Sequence, residues 1–326
     1  MRRASALLVI PLLAAATVAG CGSATSSKPP SSASSPAASA ANHLVTANGA
    51  FGASPNVVVP KAAPGPDLVT KTVIQGTGNP LTTSDSLIGN FVLYDWSGTT
   101  HKLVGSTFTG NGPTLFSGQM LPGLETALIG QKVGSRVVAV LPPKYGFGTS
   151  GNSQIGIKGT DTLIYVIDLV ATIANTQGAS GATVSTGGGS LPTVTETAAK
   201  PAVVKVPKTA PPKTLVVHDL IKGSGPAVVK GDYTVVQYTG VIWKTNKTFD
   251  SSWSRSSPFA FNIGAGQVVK GWDQGLVGKT VGSRVMLVIP PAYGYGSAGA
   301  SQAGISGTDT LVFVVDIIGT FKPTKK

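Results

Sequence analysis

The residues of this chain that could do chemistry are few, and most are aromatic. Tyr238, Phe249, Phe259, Phe261, Trp272, Tyr293, Tyr295 and Phe313 stand beside turns and at the ends of apolar runs, with one acid, Asp250, in their midst. Singly, each aromatic reads as core. Together with Asp250 they either fill a core or line a concave apolar pocket with a few polar handles. Conventional catalysis finds no constellation. His43, His101 and His218 lie far apart without metal-ligand spacing. No Ser/His/Asp order accompanies a nucleophile elbow, and no phosphate-cradling Gly loop leads into a helix.

The elements that must position these residues are mainly strands. Tyr233–Thr239 is β-branched and aromatic and follows a Lys230-Gly231-Asp232 turn. Val285–Ile289 predicts a buried strand stopped by Pro290-Pro291, and Leu311–Ile318 another, with Leu311, Phe313, Val315 and Ile317 on one face. Only Gln267–Leu276 reads as a helix, and it is short. Antiparallel strands wrapped around one short helix make an α+β domain.

That domain has a twin. Val268–Gly296 repeats Met120–Gly148 at a constant offset, 268 − 120 = 148 and 296 − 148 = 148, sharing VGSRV, PPxYGxG and, further on, GIxGTDTL. The upstream copy predicts strands over Phe91–Tyr94, Val137–Leu141 and Leu163–Val170. Two tandem α+β domains follow.

Composition fits two modest domains: 326 residues, 41% hydrophobic, 12% charged, with 42 Gly and 23 Pro. Residues 1–20 read as a secretory leader, with Arg2 and Arg3 ahead of an apolar run from Ala6 to Ala19 too short for a comfortable span. The sequence Val18-Ala19-Gly20-Cys21 resembles the lipobox of bacterial lipoproteins, which implies acylation of Cys21 and an extracytoplasmic protein anchored to the cell membrane; the other reading is an ordinary cleaved leader. Cys21 is the one Cys, so internal disulfides and Cys-based metal sites are excluded. Without the leader the chain carries 25 − 2 = 23 basic and 13 acidic residues, a charge of +10. That excess suits an anionic lipid or wall polymer, or solubility alone; no nucleic-acid motif accompanies it. Residues 21–65 are Ser/Ala/Pro-rich and predict a disordered tether, 66–174 the first domain, and 175–213 a linker, Gly/Ser-rich and then Pro/Lys-rich. The second domain spans 214–321, and 322–326 is a basic tail.

The second domain resembles the FKBP family of peptidyl-prolyl cis-trans isomerases. The resemblance is carried, in order, by Val235-Val-Gln-Tyr-Thr-Gly240, Thr248-Phe-Asp-Ser-Ser252, Pro258-Phe-Ala-Phe261, Gln267-Val-Val-Lys-Gly-Trp272, Ala292-Tyr-Gly-Tyr-Gly296 and Thr310-Leu-Val-Phe313. It implies a catalytic pocket of Tyr238, Phe249, Asp250, Trp272, Tyr295 and Phe313, with Phe259, Val268, Val269 and Ile305 binding substrate. Trp272 would floor it, the Val269 N–H and Tyr295 hydroxyl would bond substrate carbonyls, and Tyr238 would hold Asp250. Gln267 stands where the family often has an acid; Phe261 and Tyr293 are assigned to core. The resemblance further implies proline-containing, unfolded or folding polypeptides as substrates, no cofactor, macrolide inhibitors of the family as ligands, and a monomer.

The first copy keeps Gly134, Arg136, Pro142, Pro143 and Tyr145, but Leu124, Phe147 and Tyr165 stand for Trp272, Tyr295 and Phe313. Val104, Gly105 and Thr114 align with Phe249, Asp250 and Phe259, while Tyr94 and Ile157 remain from the set. The expectation is a non-catalytic first domain beside an isomerase that assists folding of envelope proteins. The alternative is a non-catalytic chaperone or partner-binding module. Mass spectrometry of the mature N-terminus is expected to find acylated Cys21; an unmodified Cys21 would overturn the anchor.

Overall fold

Long β-branched runs flanked by Gly and Pro turns build the core of this protein, whose computed structural model describes residues 36–110, 112–118, 120–195 and 200–323. The leader, Cys21 and residues 324–326 lie outside the described residues. In the first half, α1 (Pro36–His43), β1 (Thr46–Asn48) and β2 (Asn56–Val58) precede β3 (Val69–Ile74), β4 (Asp85–Ser97), β5 (Thr100–Ser106), β6 (Thr114–Phe116), α2 (Pro122–Leu128), β7 (Arg136–Leu141) and β8 (Thr162–Ala174). In the second, β9 (Ala182–Thr183), β10 (Thr193–Thr195) and β11 (Val203–Lys205) precede β12 (Val216–Lys222), β13 (Tyr233–Ile242), β14 (Lys247–Ser251) and β15 (Phe259–Asn262). There follow α3 (Lys270–Gly275), β16 (Arg284–Ile289) and β17 (Leu311–Phe321).

Each half is an antiparallel sheet with one short helix, α2 or α3, packed on one face. The strand orders are β3-β7-β8-β4-β5 and β14-β13-β17-β16-β12-β9. In both, an interrupted edge completes the sheet: β6 pairs β4 beside β5, and β15 pairs β13 beside β14. The chain leaves the edge between the two pieces and returns, so residues 252–258 project as a loop.

The helices α2 and α3 lie on the inner faces. In the second half Gly271 lets α3 sit directly on β16, for a Cβ there would come within 2.6 Å of Ile289 Cδ1. That close approach sinks Trp272 into the core with Leu276, Phe261, Phe313 and Val315.

The outer faces are also buried, and here two expectations fail. The tether expected over 21–65 is ordered from Pro36 onward, and the linker expected over 175–213 contains β9, β10 and β11. The β1–β2 hairpin lays Val45, Ala47 and Val59 against Val92, Trp96, Val138, Val140 and Val166. The β10–β11 hairpin lays Val194, Ala202 and Val204 against Trp243, Met286, Val288, Val312 and Val314. The offsets are 193 − 46 = 147 and 203 − 56 = 147, so each hairpin belongs to the repeat as a strap for its own sheet. Trp96 Nε1 donates to Ala62 O and Trp243 Nε1 to Thr209 O, both at 3.1 Å. The straps escaped a reading by composition because each carries only a few apolar residues, whose partners are distant in sequence. Lys322, read as tail, bonds the buried Asp232 at 3.0 Å.

On the outer face of each sheet lies a buried ion pair. Arg136 and Asp168 are fully buried and joined through Nε and Nη2 at 2.6 and 2.8 Å; Arg284 and Asp316 repeat this geometry at the same distances. The first strap completes its pair: Arg136 also donates to Gly49 O and Ala53 O, and Asp168 accepts from Gly52 N. Asp316 accepts from Ala179 N.

The two sheets meet at a small apolar cluster in which Ile88 and Ile173 of the first pack with Val235 and Ile318 of the second. Removing one member of a buried pair strands the other's charge. Asp168→Ala is therefore expected to destabilise the protein by about 3–5 kcal/mol, read as a lowered urea midpoint; a midpoint unchanged from wild type would contradict this account of the strap.

Candidate active site

The inner face of β13 and β17, the start of α3 and the loop after β16 enclose an open cavity of about 560 Å³. Its walls are Tyr238, Phe249, Phe259, Tyr295 and Phe313, with Trp272 among its lining residues and only 3% exposed. The rings lock one another edge to face: Trp272 meets Phe313 and Tyr238 at 5.2 Å between centroids, and Phe249 meets Phe313 at 5.5 Å. Such contacts fix ring orientation beyond simple burial. Gly240 makes the room, since a Cβ there would stand 2.7 Å from Phe249 Cζ and 3.0 Å from Phe313 Cε1.

Val268 and Val269 line the cavity at the entry to α3, together with Gln267, Lys270 and Gly294. Val269 is the N-cap residue with extended backbone (φ −60°, ψ 146°), so its own N–H stands outside the helical ladder. Gln267 does more than lend backbone: its Oε1 accepts from Asn262 N at 2.8 Å, bracing β15. Asp273 accepts from Gly264 N and Gly266 N at 2.7 and 3.0 Å, closing the loop that leads into α3. Ile305 is placed differently from the other expected residues. It is buried in the core and does not line the cavity. Phe261, assigned to core, is there, stacked on Phe259 at 5.4 Å.

One charged network stands at the rim. Tyr238 Oη donates to Asp250 Oδ2, Arg255 Nη1 pairs with Asp250 Oδ1, and Arg255 Nη2 donates to Tyr238 Oη at 2.8 Å. The guanidinium also lies 5.8 Å from the Tyr238 ring centre. Arg255 is the residue that sequence reasoning missed. An Arg on a polar loop carries no local signal, and its partner Asp250 is reached only because the edge strand is interrupted.

The first half retains this frame without the network. Register equates Phe91 with Tyr238, since they face Ile167 and Val315 on β8 and β17. The backbone agrees: Phe91 N donates to Thr107 Oγ1 as Tyr238 N donates to Ser252 Oγ, both at 2.8 Å. The expectation that Tyr94 survives as the pocket tyrosine is thus corrected. Tyr94 packs with the outer-face cluster, and the residue in the pocket position has no hydroxyl. Gly105 lies opposite Leu93 as Asp250 lies opposite Gly240. Leu93 therefore puts a buried side chain where the second half needs a glycine, and Gly110 stands in the loop position of Arg255. Ile157 is buried core, as Ile305 is.

Comparison with known proteins finds the family described as FKBP-type peptidyl-prolyl cis-trans isomerase over residues 84–170 and 225–318, more than half of the chain. An FK506-binding protein of Streptomyces anulatus is 43% identical over 115 residues, covering 35% of this chain and 93% of that protein. FK506-binding protein 2B of Rhizopus delemar is 50% identical over 95 residues, 29% of this chain but only 44% of that protein. The crystal structure of FkpA from Escherichia coli is similar at 38% identity, covering 34% of this chain and 49% of that one, with a TM-score of 0.31.

Burial governs the tyrosine hydroxyls. It pushes Tyr165 up to about 12 and raises Tyr233 and Tyr295, with the charge of Asp250 adding to the effect at Tyr295. Tyr238 rises further, through burial first and then its bond to Asp250. Tyr238 and Tyr295 are thus neutral donors at neutral pH. A raised folded pKa contributes stability that is complete below the unfolded value of 10.0 and lost as pH rises through the folded value. Unfolding free energy is expected to fall above about pH 10, and to fall less steeply in Tyr238→Phe. Denaturant titrations between about pH 9 and 11 check this; equal slopes in both proteins would refute the assignment.

Proposed function

The chain belongs to the FKBP-type peptidyl-prolyl cis-trans isomerase family, and from that premise we propose that its second domain turns over X–Pro bonds while the first does not. The supporting observation is the Tyr238–Asp250–Arg255 network at the mouth of an aromatic cavity, set against Phe91, Gly105 and Gly110 at the matching positions of the first domain.

Rotation about an X–Pro bond is slow because amide resonance imposes a barrier of roughly 18–20 kcal/mol. The resonance form is charge-separated, so transfer from water to a wall of aromatic rings disfavours it and weakens the partial double bond. Trp272 supports the proline ring from beneath while Phe249, Phe259 and Phe313 exclude water at its sides. The Val269 N–H and Tyr295 hydroxyl bond the carbonyls flanking the proline and anchor the peptide. Asp250, oriented by Tyr238 and Arg255, presents fixed negative charge to the imide as it twists. A preorganised site that fits the twisted imide better than either planar form lowers the barrier. No nucleophile and no cofactor enters. The same apolar, carbonyl-binding cavity accepts the macrolide inhibitors of the family.

The leader-like residues 1–20 and the lipobox-like Val18–Cys21 support a site of action outside the cell membrane, on secreted or envelope polypeptides whose folding waits on proline, and we take the protein to act as a monomer. Leu93 and the missing network support a first domain that is not catalytic.

A proline-limited refolding assay with the full chain is expected to show acceleration. Asp250→Gly with Trp272→Leu, which copies the first domain, is expected to lower kcat/KM by at least about tenfold, the factor that ~1.4 kcal/mol of lost transition-state stabilisation is worth. The far-UV spectrum should be unchanged. Undiminished rate in the double variant would reject the pocket, and absence of acceleration by the wild type would reject the enzyme in favour of a binding module.

A further inference from the structure

Although the first domain lacks the network, it touches the second at the loop that carries Arg255. We propose that the first domain is a positioning element for the second domain's pocket: it grips both ends of residues 252–257 and so holds Arg255 on Asp250 and Tyr238. The inference rests on the proposed catalytic role of that pocket.

The loop needs holding. It leaves the sheet after Ser251 and rejoins it at Phe259, and Ser256 within it has φ of 50°. A non-glycine residue in that region is strained and persists only where its surroundings fix it. Arg255 is half exposed, and an exposed ion pair contributes little when its long side chain must be ordered from a mobile loop.

Two grips come from the first domain. At the leading end, Ser252 Oγ donates to Gln237 Oε1, and Gln237 Nε2 donates to Asn175 O at 2.9 Å. Asn175 follows directly on β8 and is fixed within the first domain, its N–H donating to Ser84 O at 3.0 Å and its Oδ1 accepting from Ser86 Oγ at 2.6 Å. Ser86, Gln237 and Ser252 are fully buried, so this line of bonds does not exchange freely with water. At the trailing end, Ser257 Oγ donates to Ser117 Oγ at 2.9 Å. Behind the loop, Leu115 packs in one cluster with Ala260 and its N–H donates to Tyr233 Oη at 2.9 Å. Ala260 lies between Phe259 and Phe261 on β15, whose rings point to the pocket side. The first domain thus backs the same short edge strand whose other face builds the cavity.

The test uses the full chain and a double-mutant cycle. Ser117→Ala is expected to lower kcat/KM for a succinyl-Ala-Leu-Pro-Phe peptide roughly threefold, the worth of one net hydrogen bond. Ser117→Thr, which keeps the hydroxyl, should restore it. In an Arg255→Ala background, Ser117→Ala should have no further effect, because the group it positions is gone. Equal losses in both backgrounds would mark the contact as merely structural and overturn the proposal, as would full activity in Ser117→Ala. Hydrogen exchange over residues 252–258 should quicken in Ser117→Ala and recover in Ser117→Thr; unchanged exchange would overturn the clamp whether or not the protein turns over. If the wild type shows no turnover, the catalytic reading fails on its own. The clamp is then decided by exchange and by peptide affinity, which Ser117→Ala should weaken.

Discussion

Each sheet buries a charged pair on the face away from its helix, and much of the architecture answers to that. Arg136–Asp168 and Arg284–Asp316 sit directly opposite one another across neighbouring strands. Desolvating such charges is costly unless every lone pair and N–H finds a partner. A sheet with a helix on one side only cannot supply those partners, so a strap must cross the other side. In the first half the strap's own carbonyls at Gly49 and Ala53 complete the guanidinium. The surrounding valines are then covered as a consequence, and strands such as β17 become apolar on both faces.

With its back sealed, the front of the second sheet can remain partly hollow. Two glycines set the walls of the cavity: Gly240 admits the rings of Phe249 and Phe313, and Gly271 lets α3 close on β16. The first domain differs at one of these two points. It keeps the glycine under its helix, Gly123, but places Leu93 where Gly240 stands. Duplication therefore left two folds from one plan that differ at the position of Gly240. The domain without the network lies against the edge strand and loop of the other, so its retained fold has a structural consequence for the pocket.

The fold was largely legible because its signals are local. Val-, Ile- and Leu-rich runs ending in Pro-Pro or Gly mark strands, and the repeat doubles every observation. Alternation along Leu311–Ile317 correctly identified the face turned toward Trp272. It did not reveal that Val312 and Val314 were buried as well, since the covering strap lies more than a hundred residues upstream. The straps themselves were taken for tether and linker because Ser, Ala, Pro and Lys dominate them. Their few valines order only against a partner that composition does not display. Within the pocket, resemblance supplied most of the wall, whereas the mistaken pairing of Tyr94 with Tyr238 came from matching residue type without register.

The sequence by itself determined the duplication, the α+β class, the main core strands and the aromatic set with its single acid, because these depend on periodicity and residue type along the chain. The tertiary structure alone decided three things. Arg255 reaches Asp250 and Tyr238, because an interrupted edge strand folds its loop back over the rim. Leu93 stands buried at the first domain's counterpart of Gly240, because register sets it opposite Gly105. The straps are ordered, because apolar faces and buried charge on the sheets must be covered. Each of these is an encounter between residues distant in the chain, fixed by hydrogen-bond register and burial, and no local pattern records such an encounter.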